Sequence, residues 1–312
     1  MLCMLQWEEV LICVQSGPGR PWTRRCCASS LAWNHALKPL MPTLCLVVVV
    51  FLYGVADKLR AFVAGIFIPQ YHYPYVVGLC FGQALLSVSF CNLLHILGVA
   101  PLRRYCRPLG ERLLVPSICS SVHAVLTTWA QVSSSHGVLF PLARRLLPLI
   151  TVGLSFTLKV AAPPSGHASV TVSILTGCSL VLTARHGPLV VEALEYMYAP
   201  LAVILLSLSL TWLSKVSQSE RRASSLDIYY TQLVNQCWLL GLLWTLHPDG
   251  PLLVLSRASW HSLLFHGYLL AILLLGTLLN LALAMTALCK SPLAAGLLHA
   301  AAELMHPLVE RL

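Results

Sequence analysis

From residue 43 onward, long apolar runs alternate with short polar connections. The runs cover about 43–66, 74–98, 114–132, 137–160, 166–184, 189–213, 226–247, 262–288 and 292–309. Each is close to the ~20 residues that a hydrocarbon layer of about 30 Å requires of a helix. In lipid a segment has to satisfy its own backbone donors and acceptors, which a helix does and an isolated strand does not. The pattern therefore predicts an all-α fold, a polytopic membrane bundle, over residues 42–312. Residues 1–41 have no sustained period, and Glu8 and Glu9 interrupt their first apolar run too early for a signal peptide. They are expected to form a low-order cytosolic tail.

The polar interruptions inside the runs carry the candidate chemistry. Arg144 and Arg145 lie side by side within the otherwise apolar stretch 138–156. On insertion scales each arginine at mid-membrane costs about 2.5–3.5 kcal/mol. Such charges usually face a bundle interior or a watery cavity, where they mark a solute path. Adjacent helical residues point about 100° apart, so one of the two is expected to face that cavity; the alternative is a helix nearer the cytosolic face with both arginines snorkelling to the headgroups. Replacing either by alanine is expected to leave the fold intact.

Asp57 and Lys58 close the apolar run 44–56, where a local ion pair and a phosphate contact by Lys58 are both open readings; Arg60 reads as an interfacial anchor. Gln83 is a polar residue among small and apolar neighbours, which helix–helix hydrogen bonding alone explains. Tyr229, Tyr230 and Gln232 suit either an aromatic belt at the interface or stacking on a base with a polar edge read beside it.

His299, Glu303 and His306 share one helical face, but a single helix supplies all three and no activated-water motif accompanies them, so no metal site is expected. Glu192 and Glu195 read as buried pair partners or cavity polar groups. No nucleophile is accompanied by its base and there is no phosphate loop, so neither an enzyme nor a cofactor is expected.

Composition removes the main rival class. The chain is 57% hydrophobic and 10% charged, with a mean hydropathy of +0.78, whereas charged residues approach a quarter of a soluble domain. The net charge of +9 would suggest nucleic acid in a soluble protein. Here the basic residues fall mainly in alternate connections: Arg103, Arg104, Arg107 and Arg112, then Lys159, then Lys215, Arg221 and Arg222, then Lys290, against only Arg185 and Arg257 in the others. The positive-inside rule places the richer set and the N-terminus in the cytosol, so the charge is explained without a nucleic-acid partner. The 12 cysteines show no zinc spacing and lie mostly in apolar runs, where cysteine acts as a small hydrophobe.

Several blocks also fall in a familiar order. Arg144-Arg145-Leu-Leu-Pro-Leu-Ile-Thr151 pairs two basic residues with an apolar-Pro-apolar-Thr run. Asp57-Lys58 is followed by Tyr73-Pro74 and then Phe81-Gly82-Gln83. Leu226-Asp-Ile-Tyr-Tyr-Thr-Gln232 and Ser291-Pro-Leu-Ala-Ala-Gly-Leu-Leu-His299 come later. Together they resemble the nucleotide-sugar transporter family, closest to the UDP-sugar and GDP-mannose branch of the drug/metabolite transporter superfamily.

The resemblance implies nine to ten helices in two inverted halves, with substrate held between them near the midplane. It implies exchange of a cytosolic nucleotide sugar, UDP- or GDP-linked, for a lumenal nucleoside monophosphate across a Golgi or endoplasmic reticulum membrane. Lys58, Arg144 and Arg145 would meet phosphates; Tyr229, Tyr230 and Gln232 would meet the base or ribose; Gln83 would join the substrate site from the second helix. Where the family carries a ninth-helix lysine, this chain has His299-Ala-Ala-Ala302-Glu303, and it stops at Leu312 before a tenth helix. The alternative expectation is thus a C-terminally truncated, transport-inactive relative acting as a membrane adaptor or regulator. Small-residue surfaces would allow a homodimer.

Overall fold

The computed structural model describes residues 40–71, 75–133, 139–160, 164–184, 195–220, 223–248, 250–257 and 260–309. The tail expected over residues 1–41 falls almost wholly outside them, as does Glu192. Two units are distinguished, one through Val48 and one from Val49 onward; the packed helices and their cavity belong to the second.

All regular structure among the described residues is helical. The helices are α1 Leu40–Tyr71, α2 Val76–Ile96, α3 Arg107–Arg112, α4 Leu114–Ser133, α5 Leu139–Arg145, α6 Leu147–Thr157, α7 Gly166–Ala184, α8 Glu195–Ser219, α9 Ser225–Leu246, α10 Pro251–Arg257, α11 Leu263–Cys289 and α12 Pro292–Val309. Three of them, α2, α8 and α11, are long and apolar enough to cross a membrane. Apolar stretches in α4, α6 and α12 are shorter, and α1 carries Asp57, Lys58 and Arg60 in its middle.

The run 137–160 forms two helices rather than one. Pro148 has no N–H to donate, and its ring crowds the carbonyl four residues back, which belongs to Arg144. The chain accordingly leaves α5 at Leu146, whose N–H turns to Ala143 O at 2.9 Å, and α6 restarts with Ile150 N–H on Leu146 O at 3.0 Å. A broken helix is tolerated at membrane depth where it lines protein or a cavity.

Polarity is distributed as a membrane interior demands. Outward positions are apolar: Leu263 is 88% exposed, Ile96 79% and Trp238 78%. Inward positions include the fully buried Ser117, Thr151, Ser207 and Thr211. Three of these hydroxyls close on their own helices, Ser117 Oγ on Leu113 O, Thr151 Oγ1 on Leu147 O and Thr211 Oγ1 on Ser207 O, each at 2.7 Å, and Ser207 Oγ meets Thr151 Oγ1 at 2.9 Å, so they carry no unmet donor into an apolar setting.

Helix α8 lies at the centre against α4, α5, α6, α11 and α12, while α9 packs on α2, α4 and α11. The core around α8 joins Leu147, Tyr198, Ala199, Val203 and Ala295. Helix α1 joins through Val63, Ala64 and Phe67 against Phe265 and Ile272, and through Tyr53 against Leu279 and Leu298.

The start of α9 ties down the segment that succeeds α2. Ser224 Oγ accepts the Asp227 N–H and Asp227 Oδ2 accepts the Ser224 N–H, both at 3.1 Å, a reciprocal cap. The other carboxylate oxygen, Oδ1, accepts the Arg103 N–H at 2.9 Å. Farther along α9, Tyr105 donates its hydroxyl to Asn235 Oδ1 at 2.9 Å and Asn235 Nδ2 donates to Gly110 O at 2.8 Å. Gly110 has to lack a Cβ because the Tyr105 hydroxyl occupies that space. Asp227→Ala removes an acceptor for two backbone donors, and thermal unfolding in detergent should report a loss of about 2 kcal/mol, the upper end for a cap. An unchanged melting point would show that this clasp contributes nothing.

Candidate functional site

Helices α1, α2, α4, α5, α8, α9, α11 and α12 surround a cavity of about 110 Å³. Helical periodicity accounts for its polar lining. Tyr53, Asp57 and Arg60 are spaced i, i+4, i+7 on α1; Ser120, His123 and Thr127 are spaced i, i+3, i+7 on α4; Tyr229, Gln232 and Gln236 are spaced i, i+3, i+7 on α9. Each set is one stripe along its helix.

One wall is charged. Arg144 donates from Nε to His299 Nε2 at 3.0 Å and lies 3.6 Å from Asp57 Oδ2 through its Nη2. Its guanidinium carbon stands 6.0 Å from the centre of the Phe140 ring. Arginine has no acceptor, so His299 Nε2 accepts, and the ring proton sits on Nδ1. That nitrogen then donates to the Tyr53 hydroxyl at 3.0 Å. Tyr53, His299, Arg144 and Asp57 thus form a chain joining α1, α5 and α12.

Arg60 stands apart from this chain. It lines the same cavity one turn beyond Asp57, with its Nε buried and no hydrogen bond to any described residue. The opposite walls carry amides and hydroxyls. Gln232 is 4% exposed and its Oε1 has no partner among the described residues, while Gln83 on α2 fits so tightly against α11 that a Cβ on Gly276 would overlap its amide. His123 Nδ1 is 2.8 Å from Ala202 O; a carbonyl only accepts, so this nitrogen bears the proton and the other ring edge is turned away from the bond.

The sequence candidates divide. Gln83, Arg144, Tyr229 and Gln232 line the cavity, whereas Lys58, Arg145 and Tyr230 do not. Lys58 and Arg145 each come directly after a lining residue and so point about 100° away from it. Tyr230 packs with the cluster that includes Leu102, Leu109 and Leu226. Asp57, which the sequence offers as a partner for Lys58, reaches across to Arg144. Arg60, expected as an interfacial anchor, lines the cavity instead.

Tyr53, His123 and Arg60 are not among the binding residues that the sequence suggests, although their spacing with other polar residues on α1 and α4 is visible in it. Both ring nitrogens of His299 are engaged, the side chains of Glu303 and His306 are outside the described ones, and no metal-ligand cluster occurs among the described residues. Glu195 is fully buried, and its carboxylate has no hydrogen-bond partner among the described residues.

No protein-family model matches this chain, and no curated protein matches it. Two guanidiniums against one carboxylate leave a net positive charge, set among amides and hydroxyls that can meet a hydroxylated solute. Guanidinium groups match phosphate oxygens in a fork geometry, and the match strengthens where water is excluded.

Proposed function

We propose that the protein is a multi-pass membrane transporter for a phosphate-bearing, hydroxyl-rich solute of the nucleotide-sugar class. In this reading it exchanges a cytosolic UDP- or GDP-linked sugar for a nucleoside monophosphate across a Golgi or endoplasmic reticulum membrane. The bundle comprises nine to ten spanning helices in two inverted halves, with the cavity between them. The observation that carries the proposal is the cationic, polar cavity enclosed by helices whose outer faces are apolar. The break between α5 and α6 beside Arg144 supports it, since interrupted helices build the solute sites of many secondary transporters.

Counter-exchange in proteoliposomes tests this. Vesicles preloaded with UMP or GMP should take up at least one labelled UDP- or GDP-sugar saturably, several-fold above protein-free vesicles. A correctly inserted protein that exchanges none of a broad panel would end the transporter reading and leave the membrane adaptor.

A further inference from the structure

We infer that Arg60 is the residue that meets the solute's phosphate oxygens, and that Arg144 is a positioning residue that holds the charged wall together. The inference rests on the reading of this cavity as a solute site and names which cation does the binding.

The two arginines are chemically alike and face the same space, yet their surroundings differ. Arg144 is committed to His299 Nε2 at 3.0 Å and to Asp57 at 3.6 Å, and His299 is itself held by Tyr53 at 3.0 Å. Releasing Arg144 to a ligand would open a chain that ties three helices. Arg60 has no such commitment: none of its donors bonds a described residue, and its Nε is shut away from solvent. A guanidinium has five N–H donors and no acceptor, so an environment that offers it no oxygen leaves it costly. An oxyanion bound in the cavity supplies those oxygens at no expense to the fold.

Charge points the same way. Asp57 lies three residues before Arg60 on α1 and directs its carboxylate toward Arg144. Asp57 is paired with Arg144 and also acts on Arg60, so one carboxylate serves two guanidiniums and the wall keeps one positive charge in excess. The solute class this selects is one with a phosphate or pyrophosphate group, because a planar fork of donors takes two oxygens of such a group at once.

The experiment uses the full chain purified in detergent, with inorganic pyrophosphate, UMP and GMP as probes, and reads both the ligand-free melting point and the Kd. Pyrophosphate should bind the wild type. Arg60→Gln should weaken that binding about ten- to hundredfold, the scale of charged hydrogen bonds, while the ligand-free melting point stays near wild type. Arg60→Lys should recover part of the affinity, since it restores charge without the fork. Arg144→Gln should instead lower the ligand-free melting point; if it does not fold, the two Arg60 variants decide alone.

Pyrophosphate binding that is unchanged in Arg60→Gln, or absent in the wild type, overturns the assignment. Pyrophosphate binding that depends on Arg60, with no response to UMP or GMP, upholds the assignment and counts against a nucleotide solute. Nucleotide binding that survives Arg60→Gln does the reverse.

Discussion

Arg144→Ala should destabilise the protein in detergent by about 1–3 kcal/mol, between the cost of breaking an exposed and a buried ion pair, since both partners are half-buried. From the apolar context of residues 138–156 alone, alanine there looks benign. The contacts of Arg144 change that expectation. Its loss leaves the Asp57 carboxylate facing the cavity without its 3.6 Å partner and strips His299 Nε2 of its donor. His299 is buried, and its remaining bond to Tyr53 cannot satisfy both ring nitrogens.

A double-mutant cycle isolates the effect. Asp57→Asn should cost less in the Arg144→Ala background than in the wild type, with a coupling of about 1 kcal/mol or more for residues in direct contact. Additive losses, or an Arg144→Ala variant as stable as wild type, would show that the chain from Tyr53 to Asp57 is a coincidence of packing.

Gly296→Leu should destabilise by about 1–3 kcal/mol through overpacking and should also disorganise the cavity. Gly296 is where α12 crosses the break between α5 and α6. A Cβ at this position would already touch Pro148 Cα and Thr151 Oγ1, each at 3.4 Å, so a leucine side chain extending toward α6 has to displace one of them. Neither neighbour can yield: one is backbone, and Thr151 is held to Leu147 O at 2.7 Å and to Ser207 Oγ at 2.9 Å. Displacing α12 carries His299 away from Arg144, because His299 lies three residues beyond Gly296 on the same helix. Pyrophosphate affinity should therefore fall together with the melting point. Gly153→Leu on α6 is the control: a Cβ there meets nothing within 4 Å, so both readings should stay near wild type. Equal behaviour of the two variants would mean that the crossing at Gly296 is not tight in the protein.

Sequence by itself determined the helical character and most of the element positions, because both depend on local properties. An apolar run has to bond its own backbone in lipid, and Pro148 interrupts a helix wherever it sits. The break at Leu146 is thus implicit in the residues, although hydropathy presents the run as one segment. The sequence also marks Arg144, Tyr229 and Gln232 as unusual, since a polar side chain in such a run is costly in any fold.

The tertiary structure decided which member of each adjacent pair faces the cavity. Arg144 and Arg145 have nearly the same local surroundings, as do Tyr229 and Tyr230, and hydropathy cannot choose between neighbours on one helix. That choice is set by the rotation of each helix against its partners: α12 brings His299 to Arg144, and the Leu102–Leu109 region takes up Tyr230. The exchange of Lys58 for Arg60 as the lining cation of α1 has the same cause. A stripe is defined by the side a helix buries, and that side is selected by residues as distant in the chain as Leu279 and Leu298 against Tyr53.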